Sequence, residues 1–175
     1  SSAASDVYKR QGHSWHANTI AQSFAERTGG SYCVMNAPII FQNKNTCDLM
    51  KKEPSISRIL EKGKTCNIAL VGIGEINLSS TSYLCGAFSE NDVCALNNQN
   101  AVASVCTSYI SRDGKIIDTE LSSRSIGLSL DELSKSTVIA ISTGVEKVEA
   151  TKAVLKSNYI DIFMTSQDMA QKLLL

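Results

Sequence analysis

Short apolar runs, each ending in small residues, organise this chain. Ile68-Ala-Leu-Val71 carries no polar break, and Ile73 continues it past Gly72. A run this short and this apolar predicts a strand buried on both faces, as in a parallel sheet. It closes on Gly72-Ile-Gly74, and glycines there permit a tight turn and close approach of a ligand to the backbone. The pattern recurs at 137–142, which leads through Thr143-Gly144 into a helical segment, and at 160–164, also followed by a helix. Strand, loop and helix in alternation predict an α/β fold with a mainly parallel, Rossmann-like sheet flanked by helices. Ligands of such sheets sit outside the carboxyl ends of the strands.

The periods between these runs supply the remaining elements. Ile20, Ala21, Phe24 and Ala25 share one helical face, which predicts a helix over 17–28 stopped by Gly29-Gly30. Residues 32–35 read as a short strand, broken by Ala37-Pro38, with 39–41 as a possible extension. Thr46 and Ser55 are N-cap candidates for helices over 47–52 and 55–63, the second stopped by Gly63. Residues 75–100 are polar and loop-rich with short helical pieces. Ser89-Glu-Asn-Asp92 there resembles a capping box with Asp in place of Glu. Residues 101–110 and 115–118 flank a Gly-containing turn and predict an antiparallel hairpin excursion. Ser129-Leu-Asp-Glu132 is a capping box that predicts a short helix. A helix over 145–157 presents Val148, Thr151, Val154 and Leu155, and a last helix starts at Ser166 with Thr165 as its cap. Residues 1–14 show no periodicity and are read as disordered or foreign to the domain. Residues 15–175 read as one domain.

Composition narrows the class. The chain is 43% hydrophobic, and its 17 basic and 17 acidic residues cancel. A nucleic-acid module shows a basic footprint, so any DNA contact is expected from elsewhere. No run reaches the ~18 apolar residues of a membrane span. The six cysteines are spaced by 14, 19, 19, 9 and 12 residues, which fits no zinc pattern. They read as small buried hydrophobes in a reducing cytoplasm rather than as a disulfide frame.

Candidate chemistry follows from the strand ends. No GxSxG, Walker loop, HExxH or full GxGxxG occurs, since Gly72-Ile-Gly74 lacks the third glycine. His13 and His16 lie near a ragged end and read as surface residues. Thr143-Gly144-Val-Glu-Lys147 joins a buried strand to a helix, so free amides, a glycine and an ammonium group coincide. Two readings stand: Lys147 grips an anion, or it is a solvated lysine near Glu146 and Thr151. Ser79, Ser80, Thr81 and Ser82 offer hydroxyls to a ligand or cap a helix. Arg124 is an anion ligand or a surface residue.

Several motifs, in order along the chain, resemble the effector-binding domain of SorC-type bacterial transcriptional regulators. Ala37-Pro38-Ile-Ile is similar to the family's APxx step, and Ile68–Gly74 contains its ALVGIG. Ala101-Val-Ala-Ser-Val105 falls on its AVGDI, and 118–128 on its arginine-then-IG segment with Arg124 in register. Val138–Lys147 resembles VIAVAGGxxK, and Ile160–Ala170 resembles IDVLVTDExTA. The likeness covers roughly residues 15–175.

This resemblance implies a cytoplasmic, oligomeric sensor that binds a phosphorylated sugar and is not an enzyme. It implies DNA reading by an attached helix-turn-helix that this chain lacks, no cofactor and no membrane. It implies an isomerase/CoA-transferase-like fold, incomplete on its N-terminal side, where the first strand and its Gly-Thr-Thr loop are missing. By the likeness, Lys147 contacts the effector's phosphate, Gly144 lies beside it, and Gly72 and Gly74 line the pocket's strand end. Ser104 stands where the family has the acid that holds sugar hydroxyls, and Ser111 where it has another. A neutral hydroxyl cannot accept two hydroxyls as a carboxylate does. A sugar-phosphate isomerase-like enzyme and a degenerate oligomerisation domain are the alternative readings.

Overall fold

The computed structural model describes residues 17–175. The readings for residues 1–14, with His13 and His16, lie outside the described residues. In chain order the elements are α1 (Ala17–Thr28), α2 (Lys44–Lys52), α3 (Pro54–Lys64), β1 (Ile68–Gly72), β2 (Gly74–Glu75), α4 (Thr81–Leu84) and α5 (Glu90–Asn98). They continue with β3 (Ala101–Val105), β4 (Ser108–Ser111), β5 (Ile116–Ile117), α6 (Glu120–Ser123) and β6 (Thr137–Ser142). A 3-10 turn (Val145–Lys147), α7 (Val148–Lys156), β7 (Ile162–Thr165) and α8 (Gln167–Leu173) complete the chain.

The fold is α/β. Three strands form a parallel sheet in the order β1-β6-β7, and β2-β3-β4-β5 form a separate antiparallel sheet. Ile73 alone separates β1 from β2, so the two sheets are joined at the carboxyl end of β1. The main core lies between them. Ala69, Val71, Val138 and Ala140 on one face of the parallel sheet pack with Ala150, Ala153 and Val154 of α7 and with Ala103, Val105 and Ile110 of the antiparallel sheet. A second cluster (Ile76, Phe88, Val93, Leu96, Ala101, Tyr109, Leu121) and a third (Phe41, Cys47, Ile56, Ile126) hold the outer helices.

Several expectations are corrected, some by contacts remote in sequence and some by local geometry. β1 is buried on one face only, because α7 and the antiparallel sheet lie on that side and no described residue covers the other. Residues 32–35 form no strand among the described residues, since they find no ladder partner. The hairpin excursion is four-stranded. Cys106 has φ 54°, which turns the chain between β3 and β4 without the usual Gly or Asn signal. Asn43, not Thr46, caps α2: its Oδ1 accepts the Thr46 amide at 2.9 Å, and the helix starts at Lys44. α3 opens on Pro54, whose missing N–H would be unpaired there anyway, so Ser55 is not the cap and Gly63 lies inside the helix.

The Ser89–Asp92 box forms and opens α5. The Ser129–Glu132 box also closes, with the Ser129 amide 3.0 Å from Glu132 Oε2. It yields only turns before β6 starts at Thr137. α7 buries Ala150, Thr151, Ala153 and Val154, while Leu155 faces outward. β7 starts at Ile162, and Ser166 rather than Thr165 holds the cap position of α8. All six cysteines are free thiols, but only Cys47 is buried, and Cys33, Cys94 and Cys106 are exposed.

Candidate functional site

The site is built where β1, β6 and β7 end. Gly72 lies opposite Ile141, and Ser142 opposite Thr165, so Gly72, Thr143-Gly144 and Thr165 share one end of the sheet. Buried hydroxyls pin that end. Thr151 Oγ1 donates to Ser142 Oγ at 3.1 Å, and Thr165 Oγ1 donates to the Ser142 carbonyl at 2.6 Å. The chain leaves β6 through Gly144, at φ 97° and ψ 124°, a backbone state that favours glycine. The 3-10 turn starts at Val145, so its first amides lack partners within the turn. Lys147 closes that turn and occupies the N-cap position of α7. It is half-buried and makes no salt bridge among the described residues. Cation, amides and glycine thus meet at one strand end.

Two carboxylates that sequence reasoning did not single out stand here. A Cβ on Gly144 would lie 2.1 Å from Glu146 Oε1, so the Glu146 carboxylate folds over that glycine. Glu75 follows Gly74 in β2, and its Oε2 accepts from Asn77 Nδ2 at 2.7 Å. A carboxylate two residues from a glycine carries no sequence signal of its own.

The glycines divide by role. A Cβ on Gly72 would meet nothing within 4 Å, so packing alone does not require this glycine. A Cβ on Gly74 would stand 2.6 Å from Ser104 Oγ, its cross-strand partner, so Gly74 is explained by the ladder. Ser104 is thereby held opposite Gly74, which lies two residues along the chain from Gly72.

Arg124 is committed elsewhere. It caps α6, and only 13% of its side chain is exposed. Nη1 donates to the Phe41 carbonyl at 2.9 Å, Nη2 pairs with the Asp92 carboxylate, and Nε lies 3.4 Å from Glu120 Oε1. Burial on its own pushes Asp92 up. Hydrogen bonds from Ser89 and the charge of Arg124 outweigh that and hold it below the usual carboxylate range. The guanidinium is a clamp between the 39–41 segment, α5 and α6. The hydroxyl cluster is also used structurally: Ser80 caps α4 and Ser79 bonds Asn77 Oδ1. An apolar groove of about 840 Å³ runs between the 35–40 segment, α4 and the 126–128 loop, and none of Gly72, Gly144 and Lys147 lines it.

A family model described as "Putative sugar-binding domain" matches residues 4–175. The chain belongs to this sugar-binding domain family. The deoxyribonucleoside regulator of Bacillus subtilis (strain 168) is 29% identical over 162 residues, covering 92% of this chain and 51% of that protein. The chain therefore spans about half the length of this curated relative. A DeoR family transcriptional regulator from Listeria monocytogenes superposes with a TM-score of 0.85 at 29% identity, over 93% of this chain and 66% of its own. The sugar-binding domain of a transcriptional repressor from Vibrio fischeri gives 0.80 at 26% identity, over 90% and 64%. Family members of known structure thus share this sugar-binding domain's fold and belong to regulators of transcription.

Proposed function

We propose that this domain senses a phosphorylated sugar for a bacterial transcriptional regulator. The observation that carries the reading is Lys147, half-buried and without an ion-pair partner among the described residues, beside Gly144 and the first amides after β6. Free amides and an ammonium group together favour a phosphate. The sugar then reaches toward Gly72 and the Gly74–Ser104 pair. Arg124, spent on Asp92 and Phe41, takes no part.

The sensor works in the cytoplasm as a homo-oligomer and binds without turnover. DNA contact belongs to a helix-turn-helix outside this chain, in line with the zero net charge here. The effector acts by binding one arrangement of the oligomer more tightly than another. A second reading, a domain kept only for oligomerisation, has one observation in its favour: a like-charged Glu146 carboxylate already lies over Gly144.

Titration calorimetry with pentose and hexose phosphates, the matching free sugars and inorganic phosphate tests both readings. Phosphorylated sugars bind and free sugars do not. Lys147→Ala weakens binding by ~1.5–3 kcal/mol, roughly 10- to 150-fold. Equal affinity of the two proteins ends the phosphate assignment. Silence toward every compound favours the oligomerisation reading, and conversion of a pentose phosphate establishes an enzyme instead.

A further inference from the structure

Two buried hydroxyls meet where apolar groups would pack as well. Thr151 is 0% exposed and Ser142 3%. Thr151 Oγ1 donates to Ser142 Oγ at 3.1 Å. A buried hydroxyl costs free energy unless it is hydrogen-bonded, and an apolar pair of the same shape in place of both partners is close to neutral. Stability therefore does not call for this pair. Helix formation does not call for it either, since β-branched Thr is a poorer helix former than Ala or Leu. A threonine inside a helix often bonds the carbonyl one turn back. Thr151 lies inside α7 and bonds a strand residue instead.

A hydrogen bond supplies what an apolar contact does not, a fixed distance and direction. The other buried side chains of α7, Ala150, Ala153 and Val154, are small and apolar, and they tolerate sliding along the sheet. The hydroxyl pair stops that sliding at one place. Ser142 is the last residue of β6, and Thr151 lies one helical turn beyond Lys147. Between them run Thr143, the Gly144 bend at φ 97°, the first amides of the 3-10 turn and Lys147. The candidate anion cradle is thus a short loop closed at its base by one bond. Ser142 is also held by its carbonyl, which accepts from Thr165 Oγ1 at 2.6 Å. One residue thereby ties both α7 and β7 to the end of β6.

We infer that Thr151 is a positioning residue for the effector site: through Ser142 it sets where the turn amides and Lys147 stand relative to the ends of β6 and β7. The inference rests on the phosphate reading of that site and adds a residue that is buried and touches no ligand. Hydrogen bonds weaken steeply off their preferred geometry, so a cradle that slips loses bonds to the anion.

Three variants test it. Thr151→Val removes the donor and keeps the shape, Thr151→Ser keeps the hydroxyl, and the double variant Ser142→Ala, Thr151→Val leaves no hydroxyl unpaired. Calorimetry with pentose phosphates, hexose phosphates and inorganic phosphate reads affinity, and thermal unfolding reads stability. Hydrogen exchange reads the Lys147 amide, which donates to the Gly144 carbonyl at 3.1 Å. Thr151→Val is expected to bind the phosphates roughly 2- to 10-fold more weakly, to melt lower and to exchange the Lys147 amide faster. Thr151→Ser regains the affinity. The double variant regains the melting temperature but not the affinity, a separation that a merely structural role does not produce. Parental affinity in Thr151→Val or in the double variant overturns the inference and leaves the effector reading in place. A parent chain that binds none of these phosphates ends the effector reading, and the inference with it.

Discussion

At the residue scale, the effector reading turns on Glu146. Its carboxylate lies over Gly144, where a phosphate would meet the amides after β6. An entering anion must displace it against like charge. Glu146→Gln is therefore expected to tighten phosphate-ester binding several-fold at low ionic strength, with the gain shrinking as salt screens the exposed carboxylate. Unchanged calorimetric affinity at every salt concentration would mean that Glu146 swings aside at no cost. Gly72→Ala provides the complementary test. A methyl group there meets open space, so the melting temperature stays within about a degree, while a ligand lying on the Gly72 backbone loses contact. Unchanged affinity in Gly72→Ala would remove that glycine from the site. The positions of Gly144 and Lys147 between a strand end and a helix start were legible before the structure, because that succession is a local signal. Glu146 was not, because only the fold-back of the turn brings its carboxylate over the glycine.

Among the elements, the Arg124 clamp ties segments outside the main core. It holds the 39–41 segment to α5 and α6 through Phe41 and Asp92, with side chains only 13% and 12% exposed for Arg124 and Asp92. Removing one member of a buried pair strands the other. Arg124→Ala is expected to cost ~3–5 kcal/mol by denaturant unfolding and to leave the affinity per folded molecule unchanged. A loss of affinity at intact stability would instead return Arg124 to the binding site. The clamp also sets an acid limit. The Asp92 carboxyl is held below its ordinary value of 3.8. Its contribution is thus complete above the unfolded carboxyl range and is lost as pH falls through the lowered folded value. Asp92→Asn flattens that acid limb, and unfolding curves between pH 2 and 6 read the difference. Arg124 lay open between two readings because its partners are 32 and 83 residues away. Likewise, the Asn43 cap and the Cys106 turn were missed because Thr46 is itself a cap residue and 101–110 carries no Gly, Asn or Pro to mark a turn.

For the assembled domain, the effector reading makes a thermodynamic claim. A ligand that binds only the folded state at 100 times its dissociation constant adds ~2.7 kcal/mol of stability. At the size of this domain that raises the melting temperature by roughly 5–10 °C. Lys147→Ala abolishes most of the rise, and a melting curve indifferent to every sugar phosphate sinks the sensor assignment.

Local chemistry was enough to establish the α/β class, the three parallel strands and the helix after β6. Apolar runs, caps and small-residue stops act over a few residues and can be read in line. The family motifs carried the same information, since their order follows the strands. Packing across distance decided the rest. It left one sheet face in water, withheld a ladder from 32–35, split 101–111 into two strands and turned Arg124 inward. Each of those outcomes depends on which segments become neighbours in space, and burial and ladder pairing are properties of neighbours rather than of a run of residues.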